Sequence, residues 1–329
     1  FVDDNFIGNR REVKPLLRRL RSWSERRKHP FFFSTEASIN LGDDEELMGL
    51  MQDNDFRYVF VGVESADADV LRAAQKTQNA SRDPLKCLAA IYRHGMVVNG
   101  GFIIGFDGES RDAARSMADF IQAAKLPMAM VGLLYALPNT QLERRLLREG
   151  RMLTNGDLAD QDATTTVDQA TSGLNFLTQR PKEEILADFV EVVEAVYRPE
   201  RYFDRILELI RVLEVRPRHR PPMAQLLKRG RGLARFLARA LERPEIRGLV
   251  LRNLAMTAAV RPSALEMMIN LMAMYLHFGD QSRFIVDVAR GRHQGPDEEA
   301  AGPHSVERAV GNRSAVADLP KRSAPAASA

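Results

Sequence analysis

Along the first 150 residues, nearly continuous apolar runs alternate with stretches in which apolar side chains recur every three or four positions. The apolar runs lie at 1–6, 31–39, 58–64, 97–106 and 128–137, and each reads as a strand buried on both faces. Between them the helical period predicts helices near 12–28, 44–52, 67–74, 83–94, 111–124 and 140–149. Several open on acidic or hydroxyl residues, which suit a helix N-terminus. Gly95 follows His94 and suits a left-handed helix end. Strand and helix repeating about every 25–35 residues predict a parallel sheet or barrel. Five strands are fewer than a closed eight-stranded barrel needs, and nothing after Gly150 supplies the others.

The pattern then changes. Residues 151–180 are rich in Thr, Asp and Gln and read as an irregular connection, either packed over a site or a plain linker. From Pro181 the period is helical, with helices expected at 182–197, 199–214, 223–243, 244–260 and 263–278. The stretch Tyr197-Arg198-Pro199-Glu200-Arg201-Tyr202 reads as a junction between two of them. A basic, Pro-broken stretch (Arg216, Arg218, Arg220, Pro221, Pro222) separates another two. After Arg290 the composition of Gly, Pro, Ala, Ser and charge reads as a disordered tail. The best membrane-span candidate, 265–278, is shorter than the ~20 residues a bilayer needs and contains Glu266 and Asn270. It reads as a buried helix. Lys228, Arg229, Arg231, Arg235 and Arg239 nearby leave peripheral membrane contact open.

Composition narrows the class only slightly. Apolar content of 45% suits a protein with a real core, and a net charge of +3 does not by itself imply a nucleic-acid partner. The single cysteine, Cys87, excludes a disulfide framework and any metal cluster held by several thiolates of this chain. It reads as a buried mid-helix thiol, and His29, His94, His219 and His277 show no metal-ligand spacing. The chain opens on Phe1 within an apolar run and without a start Met, so it is expected to continue upstream.

Candidate chemistry gathers at strand ends, where parallel α/β folds bind ligands. In Gly62-Val63-Glu64-Ser65, a carboxylate and a hydroxyl follow a buried strand. They suit an ammonium and a ribose hydroxyl; alternatively Ser65 caps the next helix and Glu64 is solvated. In Gly101-Phe102-Ile103-Ile104-Gly105, glycines let a flat ring approach the backbone, or else mark a strand bend. Asp3-Asp4-Asn5 closes the first run and either binds a ligand or caps a turn. Alternation places Glu36, Ser38 and Asn40 on one face, where a buried Glu36 would need a partner.

Together these runs resemble the radical S-adenosylmethionine enzymes, in the branch associated with cobalamin-binding domains. Residues 1–6 resemble that family's second strand. Gly62–Ser65 resembles its fourth-strand Gly-Ile-Glu-Ser, and Gly101–Glu109 its Gly-Phe-Ile-x-Gly-Phe-x-Gly-Glu. Leu137-Pro138-Asn139-Thr140-Gln141-Leu142 is similar to Leu-Pro-Gly-Thr-x-Leu, with Asn139 in place of glycine. Glu149-Gly150-Arg151, Leu174-Asn175-Phe176 and the residues from Tyr197 to Arg205 resemble the helical extension of the hopanoid-methylase-like subgroup.

The resemblance implies an α/β fold. It is a partial parallel (β/α)6-type barrel lacking its first βα unit, followed by an α-helical C-terminal region and a disordered tail. Its divisions are 1–150, 151–180, 181–290 and 291–329. It implies three cofactors: S-adenosylmethionine, a [4Fe–4S] cluster and cobalamin. The cluster's cysteines and the cobalamin domain fall outside this chain. In such enzymes one-electron reduction, from an external donor, cleaves S-adenosylmethionine to an adenosyl radical, and methylcobalamin delivers a methyl group. By resemblance, Glu64 and Ser65 contact the amino group or ribose, and Gly101, Ile103 and Gly105 line the adenine. Asp4, Asn5, Glu36 and Tyr135 face substrate or cobalamin. No catalytic residue or metal ligand is assigned. The substrate is a small molecule or lipid, the location cytoplasmic or membrane-associated, no nucleic acid is expected, and the chain alone is expected to be inert. Two other readings stand: a cluster-independent nucleotide- or phosphate-binding barrel enzyme, and a nucleic-acid or anionic-membrane module built on the basic helices. No Gly-x4-Gly-Lys-Ser/Thr loop supports the former.

Overall fold

Four of the five apolar runs become the strands of one parallel sheet. They are β1 (Phe33–Glu36), β2 (Phe56–Glu64), β3 (Val97–Ile104) and β4 (Ala129–Leu133), hydrogen-bonded in that order. A computed structural model describes residues 1–65, 67, 70, 83–153, 173–215 and 223–291, and beyond the backbone nothing is said of 223–227. The expected helix at 67–74, the middle of the 151–180 connection, the basic stretch at 216–222 and the tail lie outside the described residues.

The run at 1–6 is not a strand. Its polar end folds into a turn, with the Asn5 N–H on Asp3 Oδ1 at 2.9 Å and the Gly8 N–H on Asn5 O at 2.8 Å. The segment still lies along the β1 edge, because the Phe6 N–H donates to Glu36 O at 3.0 Å and the Phe1 ammonium to Ser34 O at 2.8 Å. The Phe1 ring packs on Phe6, Phe33 and Phe56. β1 also ends earlier than the pattern predicts, since Ile39–Asp43 is a 3-10 turn.

The helices follow their local signals. They are α1 (Arg10–Arg26), α2 (Glu45–Asp53), α3 (Pro84–Arg93), α4 (Ala113–Ala123) and α5 (Gln141–Arg148), then α6 (Lys182–Tyr197), α7 (Pro199–Val212), α8 (Met223–Leu241), α9 (Pro244–Val260) and α10 (Leu265–Ala289). Asp83 caps α3 by accepting from the Leu85 and Lys86 N–H groups. Thr140 and Glu143 form a capping box on α5: the Glu143 N–H donates to Thr140 Oγ1 at 3.2 Å, and the Asn139 N–H to Glu143 Oε2 at 2.6 Å. α10 runs further than its apolar pattern predicts. Asp280, two residues past the predicted end, is held by the Arg243 guanidinium at 2.8 and 3.0 Å.

Helices α2, α3 and α6 seal one face of the sheet, where Val59, Val61, Val98, Phe102, Ile104 and Leu133 are buried. The second half of the chain docks at the N-terminal ends of the strands. The Tyr197 hydroxyl donates to Ala129 O at 2.9 Å, and the Tyr58 hydroxyl to Met267 Sδ at 3.5 Å. The Glu214 N–H reaches Tyr92 O at 3.0 Å.

Arg205 fixes this docking. It is 1% exposed and meets no carboxylate. Its guanidinium donates to Leu126 O at 2.7 Å, Gln122 Oε1 at 3.0 Å and Val196 O at 2.8 Å, and lies over the Tyr202 ring. Burial pushes its pKa down to about 10, still well above neutral, so the charge persists. Arg205→Met strands these acceptors in the core. It is expected to cost roughly 2–4 kcal/mol, read as a lowered midpoint in urea denaturation. An unchanged midpoint would show that the core closes without the guanidinium.

Candidate active site

The second face of the sheet is the open one. Along β2 and β3 every other residue is only half-buried: Tyr58, Phe60, Gly62 and Glu64, then Asn99, Gly101 and Ile103. On β4, Met130 is 57% exposed. Gly62 pairs with Gly101 across the ladder, Gly101 with Met130, and Ile103 with Gly132. Two paired glycines therefore sit side by side in the middle of β2 and β3, next to Met130 on β4.

Ring and carboxylate lie over that pair. A Cβ on Gly101 would come within 2.9 Å of the Phe60 ring, and one on Gly62 within 3.2 Å of Glu64 Oε1. Phe60 thus rests on the Gly101 backbone, in the place the sequence reserves for a flat ring. Glu64 folds back because its backbone is left-handed, with φ of +73°, at a bulge where Val63 has no partner on β3. This places its carboxylate on the open face beside the paired glycines.

The strand ends form a polar rim. At β1, Asn5 Oδ1 accepts from the Ser38 N–H at 3.1 Å and the Ser38 hydroxyl lies 2.8 Å from Asn40 Oδ1. With Gly8, Arg10 and Arg11 they line an open groove of about 570 Å³. Asp4 is exposed beside it, and Glu36 is exposed rather than buried, so it needs no buried partner. At β2, Ser65 is buried and its Oγ accepts from the Asp67 N–H at 3.1 Å. At β4, Tyr135 is half-buried between the buried Leu134 and Ala136.

Gly105 does different work from Gly101. Its φ is +107°, and a Cβ there would meet Leu174 Cδ2 at 2.8 Å, so it faces packed side chains. Its N–H donates to Glu109 Oε2 at 2.9 Å. Glu109 is 7% exposed and shares a pocket of about 280 Å³ with Ser65, Asp67 and Ser116. The ends of β2 and β3 therefore meet at one place, although Glu64, Gly101 and Ile103 face one way and Gly105 another.

Sequence reasoning misses what holds the rim. Asp107 takes Arg151 end-on at 2.8 and 3.0 Å and Arg145 at 2.7 Å, while Arg151 also holds Glu149 at 2.9 Å and Leu177 O at 2.7 Å. The Asn175 side chain accepts from the Ala136 N–H at 2.8 Å and donates to Ala136 O at 3.1 Å. Met152 and Phe176 bridge antiparallel beside these contacts. The fragments Glu149-Gly150-Arg151 and Leu174-Asn175-Phe176 are thus ties between the rim loops. The signal for them was an isolated Arg and Asn in a polar stretch, which has no period to read.

No metal centre is built from these side chains. Cys87 is buried in α3, and the described residues contain no group of three His, Cys, Asp or Glu able to hold an ion. With one cysteine, the chain's own thiolates do not fit a three-cysteine cluster site. Among the described residues no helix is long and apolar enough to cross a membrane.

Parts of the chain are similar to known proteins. Residues 140–289 match a family described as a domain of unknown function, DUF4070. An uncharacterized methyltransferase of Synechocystis is 41% identical over 204 residues, covering 62% of this chain and 37% of that protein. The hopanoid C-2 methylase of Rhodopseudomonas palustris is 32% identical over 205 residues, covering 62% and 36%. Over these stretches the chain is similar to proteins named as methyltransferase and methylase. It spans little more than a third of the length of these curated relatives, 37% and 36%. Among solved structures, the cobalamin-dependent S-adenosylmethionine radical enzyme OxsB covers 90% of this chain and 48% of its own, with a TM-score of 0.40 and 12% identity.

Glu109 makes the rim sensitive to pH. Burial pushes its carboxyl up to about 7 from an ordinary 4.5, against the Gly105 and Phe106 N–H groups and Arg180, and with Asp188 adding to the rise. The folded chain keeps this proton where the unfolded chain has lost it. Stability therefore falls as pH rises from about 4.5 through 7, by roughly 3 kcal/mol in all. Glu109→Gln should remove that slope. Its urea midpoint is expected to gain on the wild type between pH 5 and pH 7.5, and an equal difference at both values would place the proton elsewhere.

Proposed function

We propose that the chain forms the sheet and helical extension of a B12-associated radical S-adenosylmethionine methylase, transferring a methyl group to an unactivated carbon. Glu64 carries this reading. Its carboxylate lies over Gly62 beside the Gly62–Gly101 pair, on the carboxyl side of a parallel sheet. S-adenosylmethionine, when bound, supplies the adenosyl and methyl groups of the chemistry.

In this reading the chain's residues bind and orient. Glu64 holds the ammonium of the amino acid part, with Ser65 near the ribose. Gly101 and Ile103 offer backbone and an apolar flank to the adenine, with Phe60 moving aside from Gly101 or stacking on the ring. Gly105 acts through the turn that Glu109 holds. Asn5, Asp4, Glu36 and Tyr135 face the substrate or cobalamin across the rim. The single cysteine of this chain does not itself make a three-thiolate cluster site, and the electron comes from an external donor. A lipid is the favoured substrate class, because one relative is named a hopanoid methylase and Met130 and Ile103 line the open face.

Binding of S-adenosylmethionine, followed by equilibrium dialysis or ligand-observed NMR, tests this. Glu64→Ala removes the carboxylate, and Gly62→Val displaces it with a branched side chain. Each is expected to weaken binding about tenfold or more, as loss of a charged hydrogen bond does. Equal binding by both variants, or ATP bound more tightly than S-adenosylmethionine, would favour a cluster-independent nucleotide-binding enzyme.

A further inference from the structure

On β2 and β3, the open face between Tyr58 and the Glu64 carboxylate is built of Phe60, Gly62, Asn99, Gly101 and Ile103. Asn99 is the one polar side chain in that stretch. Its Oδ1 is shut off from water and has no donor among the described residues. A buried carbonyl oxygen left without a donor lowers stability, so native chains seldom keep one.

The other buried polar atoms without partners are placed differently. Asn54 belongs with the core, where its amide nitrogen donates to Leu17 O at 2.9 Å and Leu50 O at 2.8 Å. Arg145 and Arg180 hold Asp107 and Asp188 through their other nitrogens, each at 2.7 Å. Thr35 is buried in register with Val59 on the sealed side, and Gln52 and Thr257 lie in α2 and α9. Of these residues, Asn99 alone stands on the open face of the sheet.

Its neighbours say what it would meet. Along β3, Asn99 and Ile103 share the face of Gly101 and stand about 7 Å to either side of it. Phe60, opposite Asn99 in the ladder, lays its ring on Gly101. A flat base on the Gly101 backbone in place of that ring has Ile103 at one edge and Asn99 at the other. A carboxamide accepts and donates in one plane, which is how Asn pairs with an adenine edge. Its oxygen takes the 6-amino group and its nitrogen a ring nitrogen. A substrate hydroxyl would use one atom of the amide where adenine uses both.

We infer that Asn99 determines specificity for the adenine of S-adenosylmethionine, its Oδ1 accepting from the 6-amino group. This rests on the methylase reading and adds to it a residue that selects the base. The probes are adenosine and purine riboside, which is adenosine without its 6-amino group, with S-adenosylmethionine beside them. Binding of each to the full chain is followed by ligand-observed NMR. The wild type is expected to bind adenosine about tenfold more tightly than purine riboside. Asn99→Leu should erase that preference, adenosine losing more than purine riboside. Its urea midpoint without ligand should equal or exceed that of the wild type, because the stranded acceptor is gone. A purely structural Asn99 would instead give a lower midpoint and an equal loss for both nucleosides. A wild type that holds S-adenosylmethionine yet binds the two nucleosides alike would overturn this inference and leave the methylase reading standing. An adenosine preference that survives in Asn99→Leu would do the same. Failure of the wild type to bind S-adenosylmethionine would overturn both.

Discussion

A parallel sheet must have both faces covered, and this one has a single face sealed by its own helices. Valines and Phe102 fill the sealed side, while Phe60, Gly62, Glu64, Gly101 and Ile103 stay half-buried on the other. The proposed site depends on that asymmetry. On the open face, Gly62 and Gly101 leave room for the Glu64 carboxylate and the Phe60 ring, and the left-handed backbone at Glu64 turns its side chain there. A side chain at either paired glycine would have to push aside a ring or a carboxylate.

The two ends of the sheet are managed by different forces. The N-terminal ends are closed by α7 and α10 through buried tyrosines and Arg205, which makes that end a floor. The carboxyl ends are shaped by charged ties: Asp107 with Arg145 and Arg151, Asn175 on Ala136, and Glu109 on Gly105. A floor built of core contacts is rigid, whereas a rim built of polar links can adjust to a ligand.

Much of this was legible in the chain itself. The parallel α/β class, four of five strands, and the helix junction at Arg198 follow from period and punctuation. Asn139, standing where the resembled family has glycine, takes φ of +65° as its turn requires. The 1–6 run misleads because its apolar flanks outweigh an Asp-Asn turn that breaks the ladder. The positions of Glu64 at the end of β2 and of Gly101 within β3 were readable from the apolar runs that hold them. Gly105 was not separable from Gly101, since both precede or follow the same apolar run and only the backbone angle tells them apart. The resemblance picked out stretches that hold Arg205, Asp107 and Asn175, but their partners were not legible because they lie far along the chain, and several are main-chain atoms.

Arg205 binds two backbone carbonyls and one amide oxygen, and none of these acceptors titrates. The junction between helices and sheet is therefore indifferent to acidity and to added salt in a way that a carboxylate pair would not be. It is also forgiving of drift. Leu126 and Val196 contribute only peptide oxygens, so their side chains can change while the grip persists.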